Sequence, residues 1–325
     1  MSLTSREEPR QGLRQAPVII GKSEQAVRMR DFAEMAALTE HTVLLRGETG
    51  TGKDHLAEYI HYRGRHGRAF VPVDCGALTE SLSETELFGH TRGAFTDAQQ
   101  IKQGLVQVAE DGTLFFNEVA NMSLSLQAKF LRVLEKKTFR QVGGTREMSV
   151  NTRIIAATNA NLELAVRRGE IRSDLYHRLN TITFTVPPLR DRSDDIPELA
   201  EHFLRKEFAS KGFSPEAMAI MMGYHWPGNV RELENAVTRA AFHSAAKGDI
   251  KPEHVHPYLT SVGDKELPTL QELQRNYLRE VLRKTRGSVS RSAEIAGISV
   301  KVMSYKVRKF QLEDFVDSLK GESIR

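Results

Sequence analysis

The sequence predicts an α/β fold, a parallel sheet with helices on both faces, followed by a helical subdomain and a C-terminal all-α module. Three observations predict it. Short apolar, β-branched runs alternate with helical stretches through the first half of the chain, and the β pattern stops after Pro187-Pro188. The basic excess sits near the C-terminus: Gln271 to Phe310 holds ten Lys/Arg against three Asp/Glu, while residues 1–270 are balanced at 34 basic and 35 acidic.

Residues 1–16 are polar, lack the apolar segment of a secretory signal, and read as a disordered arm. Val18-Ile19-Ile20-Gly21 opens ordered structure, and an amphipathic helix follows from about Glu24 to Leu38. Thr42-Val43-Leu44-Leu45 reads as a strand ending in a Gly-rich turn, with a helical pattern from Asp54 to Arg63 behind it. Phe70-Val71-Pro72-Val73, Thr113-Leu114-Phe115-Phe116 and Arg153-Ile154-Ile155-Ala156-Ala157 are further strands, separated by helices such as Ser125 to Lys136. That alternation implies parallel pairing. Residues 194–256 read as helices, with Pro197 in the first turn of one and Pro215 starting another. The expected domains are 17–188 (α/β), 189–256 (helical) and 269–312 (all-α), with 257–268 as linker and 313–325 as tail.

A hydrophobic share of 40% and a charged share of 27% fit a soluble globular chain. No run of about 18 apolar residues is present, so no membrane partner is expected. The single cysteine, Cys75, excludes an internal disulfide, fits a reducing cytoplasm, and reads as a small core residue.

In the basic segment Leu273, Tyr277, Leu278, Val281 and Leu282 share a helical face, which Arg286-Gly287 terminates. Ser290 is expected to cap a short helix holding Ala293 and Ile295-Ala296; Gly297 makes the turn, and Ile298-Ser299 opens a last helix from Val300 to Phe310. This is a helix-turn-helix pattern. It presents Lys301, Ser304, Tyr305, Arg308 and Lys309 outward, with Val302 or Met303, and Val307, packed inward. The local net charge of +7 favours double-stranded DNA over a protein-binding bundle.

Gly47-Glu48-Thr49-Gly50-Thr51-Gly52-Lys53 follows a strand and opens a helix, the context of a phosphate-binding loop. The glycines let backbone N–H groups turn toward phosphates, the helix N-terminus adds its dipole, and Lys53 supplies a cation. Asp54 stands where the general pattern has a magnesium-binding Ser or Thr. Thr113 to Phe116 ends in Asn117-Glu118, the place of the acidic pair that orients magnesium-bound water and the attacking water. Glu118 suits the second task. Asn117 can accept from a metal-bound water but brings no negative charge, so slow hydrolysis is expected.

Here the chain resembles the sigma-54-dependent activators, the bacterial enhancer-binding proteins of the AAA+ superfamily, over about Val18 to Phe310. Gly47–Lys53 resembles their Walker A motif, in which an acidic residue such as Asp54 is usual after the lysine. Gly93-Ala94-Phe95-Thr96-Asp97-Ala98, preceded by Glu86-Leu87-Phe88-Gly89-His90, resembles their sigma-54-contacting loop. Ala157-Thr158-Asn159 resembles sensor I. Arg172 and Arg178 match the arginine fingers that act in trans. Trp226-Pro227-Gly228-Asn229-Val230-Arg231-Glu232-Leu233 resembles sensor II, with Arg231 as the sensor, and the C-terminal module resembles the Fis-type helix-turn-helix.

Three positions depart from that pattern. Asp97 replaces the last glycine of the loop, Asn117 replaces the Walker B aspartate, and Asp74 stands where an asparagine couples the catalytic glutamate to the loop. The resemblance implies ATP and Mg²⁺ as cofactors. It implies upstream double-stranded DNA and the sigma-54 RNA polymerase holoenzyme as partners. The chain is expected to assemble with itself, as a hexamer when active and a dimer at rest, with a separate regulatory protein or a further domain as the source of control. A second reading is a DNA-binding regulator that holds nucleotide without productive hydrolysis or sigma-54; Asn117, Asp74 and Asp97 motivate it. An AAA+ chaperone or protease subunit is disfavoured by the helix-turn-helix.

Overall fold

The computed structural model describes residues 16–76, 80–95, 98, 100–208, 210–244, 248–259, 270–310, 312, 315, 316 and 319. They fall in two compact units, divided between Leu259 and Thr260.

The first unit is built on a five-stranded parallel sheet in the order β2-β5-β8-β1-β9. The strands are β1 (Val43–Arg46), β2 (Phe70–Asp74), β5 (Thr113–Asn117), β8 (Arg153–Thr158) and β9 (Ile182–Thr185). Alternate side chains of the central strands enter two separate cores, as the period-2 geometry of a strand requires. Leu44, Leu114, Phe116, Ile154 and Ala156 pack on one face against α5 (Leu124–Lys136) and α7 (Ser173–Leu179). Leu45, Phe115, Ile155 and Ala157 pack on the other, against α1 (Glu24–Ala37) and α2 (Lys53–Arg65). Serine side chains cap two of these helices: Ser23 accepts from Ala26 N–H and Ser123 from Leu126 N–H.

Helices α3 (Glu80–Phe88), α4 (Leu105–Val108) and α6 (Leu162–Arg167) complete this layer, with two small antiparallel ribbons. The ribbon of β3 (Gly89–His90) and β4 (Lys102–Gln103) carries the segment around Gly93 at its tip. The ribbon of β6 (Thr138–Phe139) and β7 (Met148–Ser149) leads into a turn at Gly143, which lies against Ala94.

Beyond a 3₁₀ turn at Leu189–Asp195, four helices pack around Trp226: α8 (Ile196–Glu207), α9 (Pro215–Gly223), α10 (Asn229–His243) and α11 (Pro252–Leu259). Trp226 is fully buried and donates its indole N–H to Met221 O at 2.8 Å; truncating such a residue costs about 3–5 kcal/mol. Helix α11 runs past Pro257, which the sequence reading placed at the start of a connector. Burial of Val255 and Leu259 in the helical core outweighs the break that proline favours.

The second unit holds α12 (Leu270–Lys284), α13 (Val289–Ile295) and α14 (Val300–Lys309) around Leu278, Leu282, Ala293, Met303 and Val307. Ser288, two residues earlier than the expected Ser290, is the N-cap of α13. Of the two residues considered for the inward face of α14, Met303 is buried and Val302 exposed. Tyr277, expected on the apolar face of the first of these helices, is exposed, because three short helices enclose only a narrow core.

Candidate nucleotide site

The C-terminal ends of the parallel strands converge where an open α/β sheet binds its ligands. The loop after β1 needs its glycines. Gly47, Gly50 and Gly52 have φ of 152°, 78° and 97°. A Cβ on Gly50 would stand 2.3 Å from Gly228 O. The loop therefore closes against the start of α10, and Arg231 N–H donates to Gly50 O at 3.3 Å.

Lys53, only 5% exposed, donates from Nζ to Gly47 O (3.0 Å) and Glu48 O (3.2 Å), and lies 3.5 Å from Glu118 Oε1. Glu118 itself adopts φ 52°, ψ 55°, a left-handed conformation costing a non-glycine residue about 1–3 kcal/mol. The turn aims its carboxylate back at the loop, where Oε2 accepts from Asn159 N–H at 2.9 Å. Asn159 Nδ2 in turn donates to Thr49 Oγ1 at 2.9 Å. The phosphate loop and the ends of β5 and β8 are thus tied through one carboxylate and one amide.

A cavity of about 750 Å³ lies beside them, lined at one end by Thr49 to Asp54, Asp74, Asn117, Glu118, Asn159 and Arg231. Its other end is apolar, formed by Val18, Ile19, Leu199 and Phe203 with His202. Burial holds the His202 imidazole below its ordinary pKa and pushes the Asp54 carboxyl above its own. A polar end that carries Lys53 and Arg231, joined to an apolar end, matches a nucleoside phosphate.

The remaining expected site residues are placed differently. Gly47 and Glu48 shape the loop without lining the cavity. Thr158 is fully buried and its hydroxyl accepts from Ala160 N–H, so Asn159 reaches the cavity and Thr158 does not. Arg172 and Arg178 lie on the surface of α7 and its N-terminal approach. Arg172 forms a two-point bond with Asp174 and Arg178 pairs with Glu135 at 2.8 Å. In the ribbon-tip loop Gly93 has φ 80° and its N–H donates to Ala98 O at 2.8 Å, while Ala98 is buried. Phe95 is 44% exposed, its ring edge-on to His90 at 4.9 Å. Thr96 and Asp97 lie outside the described residues. On α14, Lys301, Tyr305, Arg308 and Lys309 are exposed and Ser304 half-buried.

Sequence reading missed three residues that anchor the loop. Arg190 makes two bonds to Glu48 (2.8 and 2.6 Å), and Asn229 Nδ2 donates to Glu48 Oε2 and Thr49 O, both at 3.1 Å. Arg190 and Asn229 hold the Glu48 carboxyl at about 2, down from 4.5. A depressed carboxyl contributes stability above its unfolded pKa and loses it as pH falls through the folded one, so this clamp is intact above about pH 4.5 and weakens toward 2. Arg192, buried, donates to Thr51 O at 2.7 Å. The signal available was the cation pair in Leu189-Arg190-Asp191-Arg192, directly after two prolines.

Residues 19–185 match the family model of the sigma-54 interaction domain, residues 190–272 that of the AAA+ ATPase lid domain, and residues 269–310 that of the Fis family of bacterial regulatory proteins. The chain belongs to the sigma-54 activator family of AAA+ proteins. Among its relatives is the regulatory protein AtoC of Escherichia coli (strain K12), 40% identical over 303 residues, covering 87% of this chain and 65% of AtoC. The chain thus spans less than two thirds of that relative. The response regulator protein PilR of Pseudomonas aeruginosa is 37% identical over 319 residues, 92% of this chain and 72% of PilR. The crystal structure of NtrX from Brucella abortus in complex with ATP is similar with a TM-score of 0.69 and 29% identity, covering 90% of this chain and 70% of that one. The fold is that of the family: parallel AAA+ sheet, helical lid and C-terminal helix-turn-helix. No helix among the described residues is long and apolar enough to cross a membrane.

Proposed function

We propose that the chain is a DNA-binding transcription activator that binds and hydrolyses ATP in a ring of its own copies and uses the cycle to remodel the sigma-54 RNA polymerase holoenzyme. The observation that carries this is the loop of Gly47–Lys53 closed jointly by Glu118, Asn159 and the Gly228–Arg231 segment of the lid. NtrX, which shares the fold, is found with ATP. In this reading residues 17–188, 189–256 and 269–312 act as motor, lid and DNA anchor.

Each residue then has a physical task. Loop N–H groups and Lys53 neutralise the phosphates, and Arg231 contacts them from the lid. Glu118 takes up and orients the attacking water, while Asn159 reports the phosphate state to the loop through Thr49. Arg172 and Arg178 belong to the neighbouring copy's site, which accounts for their position outside this chain's own cavity. The polar end carries Asp74, Asn117 and Glu118, oxygen donors that together with nucleotide phosphates would hold a magnesium ion, and such an ion would supply positive charge against the phosphates. Phe95, half exposed at a ribbon tip, is the contact for sigma-54 together with Thr96, and Asp97 weakens that contact relative to glycine.

The direct test is open-complex formation by sigma-54 holoenzyme on a promoter carrying the upstream site. ATP-dependent stimulation is expected; stimulation confined to a promoter of another sigma class would sink the reading. Lys53→Ala is expected to weaken ATP binding roughly a hundredfold, since a charge-assisted hydrogen bond contributes up to about 3 kcal/mol. Calorimetry showing unchanged ATP affinity would remove Lys53 from the site.

DNA binding is expected through α14. Its affinity for duplex DNA should fall linearly with salt on a log–log plot, because lysines and arginines release condensed cations from the phosphates. Removing Lys301 or Lys309 is expected to lower that slope by about 1 each. A slope indifferent to both substitutions would place the DNA contact elsewhere.

A further inference from the structure

A P-loop site ordinarily holds its magnesium ion through a hydroxyl after the loop lysine and a carboxylate at the end of the neighbouring strand. This chain has neither residue in place: Asp54 follows Lys53, and Asn117 ends β5. The parallel register sets Asp74, the last residue of β2, level with Asn117. Cys75 N–H donates to Asn117 O at 3.1 Å, so the two strand ends are locked together. Gly76 N–H donates to Asp74 Oδ1 at 2.9 Å and fixes the carboxyl at the rim of the cavity that Lys53, Asn117 and Glu118 also line.

We propose that Asp74 is the carboxylate that holds the divalent cation of this site, the charge having moved one strand over from Asn117. The assignment rests on the nucleotide reading above. The site keeps its acidic pair: Asp74 and Glu118 carry the charge, and Asn117, which lines the same cavity, offers a neutral acceptor for a metal-bound water. Asp54 is the competing carboxylate. It lines the cavity from the first turn of α2, whereas Asp74 stands on the strand end in register with Asn117.

The same displacement gives the three unusual positions a division of labour. Asn117 and Asp74 compensate each other within the site, and Asp97 acts separately at the loop tip. Slow hydrolysis then does not follow from Asn117 alone.

The test uses the full chain and Mn²⁺ as the paramagnetic probe, titrated by electron paramagnetic resonance in the presence of ADP, so that turnover is not the readout. Asp74→Asn is expected to weaken Mn²⁺ binding about tenfold, the lower range of one charge-assisted contact. In EDTA the same variant should bind ADP at least as tightly as the unaltered chain, because a negative charge beside the phosphates has gone. A merely structural role would weaken both. Adding Asn117→Asp to Asp74→Asn should restore Mn²⁺ affinity. Mn²⁺ binding that ignores Asp74→Asn, that is lost instead with Asp54→Asn, or that Asn117→Asp fails to restore would overturn the assignment. Failure of the unaltered chain to bind ADP in EDTA would overturn the nucleotide site itself, and the role of Asp74 with it.

Discussion

Replacing Arg172 or Arg178 by alanine is expected to lower ATP turnover by about 10³–10⁵, the range over which an arginine finger stabilises charge in phosphoryl transfer. Affinity for ATP by the same chain should change little, because neither side chain lines its own cavity. Both guanidinium groups are ready for such a task. They stay charged at any working pH, and they are held at the surface by single acidic partners, Asp174 and Glu135, at side-chain exposures of 44% and 60%. Exposed pairs of this kind are worth about 0–1 kcal/mol, so exchanging Asp174 or Glu135 for a phosphate costs little. The trans geometry has its own check. Subunits carrying Arg172→Ala keep an intact loop, and subunits carrying Lys53→Ala keep an intact finger. Mixing two nearly inactive preparations should therefore recover part of the turnover. Mixtures that stay inactive, or an Arg172→Ala chain that hydrolyses ATP normally, would return these arginines to the status of surface cations.

The part of this machine legible in the sequence is the part built from local chemistry. Three glycines and a lysine in seven residues can do little but cradle an anion, and the run Thr113 to Phe116 ends in polar groups because the sheet ends there. The central strands were visible because both their faces are buried, which leaves near-continuous apolar runs such as Arg153 to Ala157. Strand β9 was not, since Ile182 to Thr185 is an edge strand of four residues with every second side chain exposed. The two-residue ribbons β3–β4 and β6–β7 carry no periodicity at all, yet they place the Phe95 loop. What the sequence hid at the site is long-range pairing. Glu48 reads as one more loop residue until Arg190, 142 positions away, is found holding it. Asp74 and Asn117 read as two unrelated departures until the register of β2 and β5 sets them side by side. Thr158 and Asn159 are adjacent in sequence, and only the backbone turn at the end of β8 decides that the amide faces the cavity while the hydroxyl is spent on Ala160.

Glu118→Gln is expected to reduce ATP turnover by about 10²–10⁴, the usual contribution of a positioned general base, while ATP affinity holds or rises. The sign of the second effect follows from charge. Glu118 Oε1 lies 3.5 Å from Lys53 Nζ, so in the resting loop the carboxylate competes with the phosphates for that ammonium group. Glutamine removes the competitor and the repulsion between carboxylate and phosphate, and it keeps an oxygen able to accept from Asn159 N–H. The loop geometry should therefore survive, which alanine would not guarantee for a residue in the left-handed region. A substitution acting through misfolding would lower affinity and turnover together. One acting on the water alone separates them, leaving a chain that fills with ATP, assembles, and does not advance. Such a chain should still bind duplex DNA with an unaltered salt slope, because α14 lies in the other compact unit. Turnover that persists in Glu118→Gln at more than about a tenth of the normal rate would mean that another group takes up the proton, with Asp74, which lines the same cavity, the first to substitute in turn.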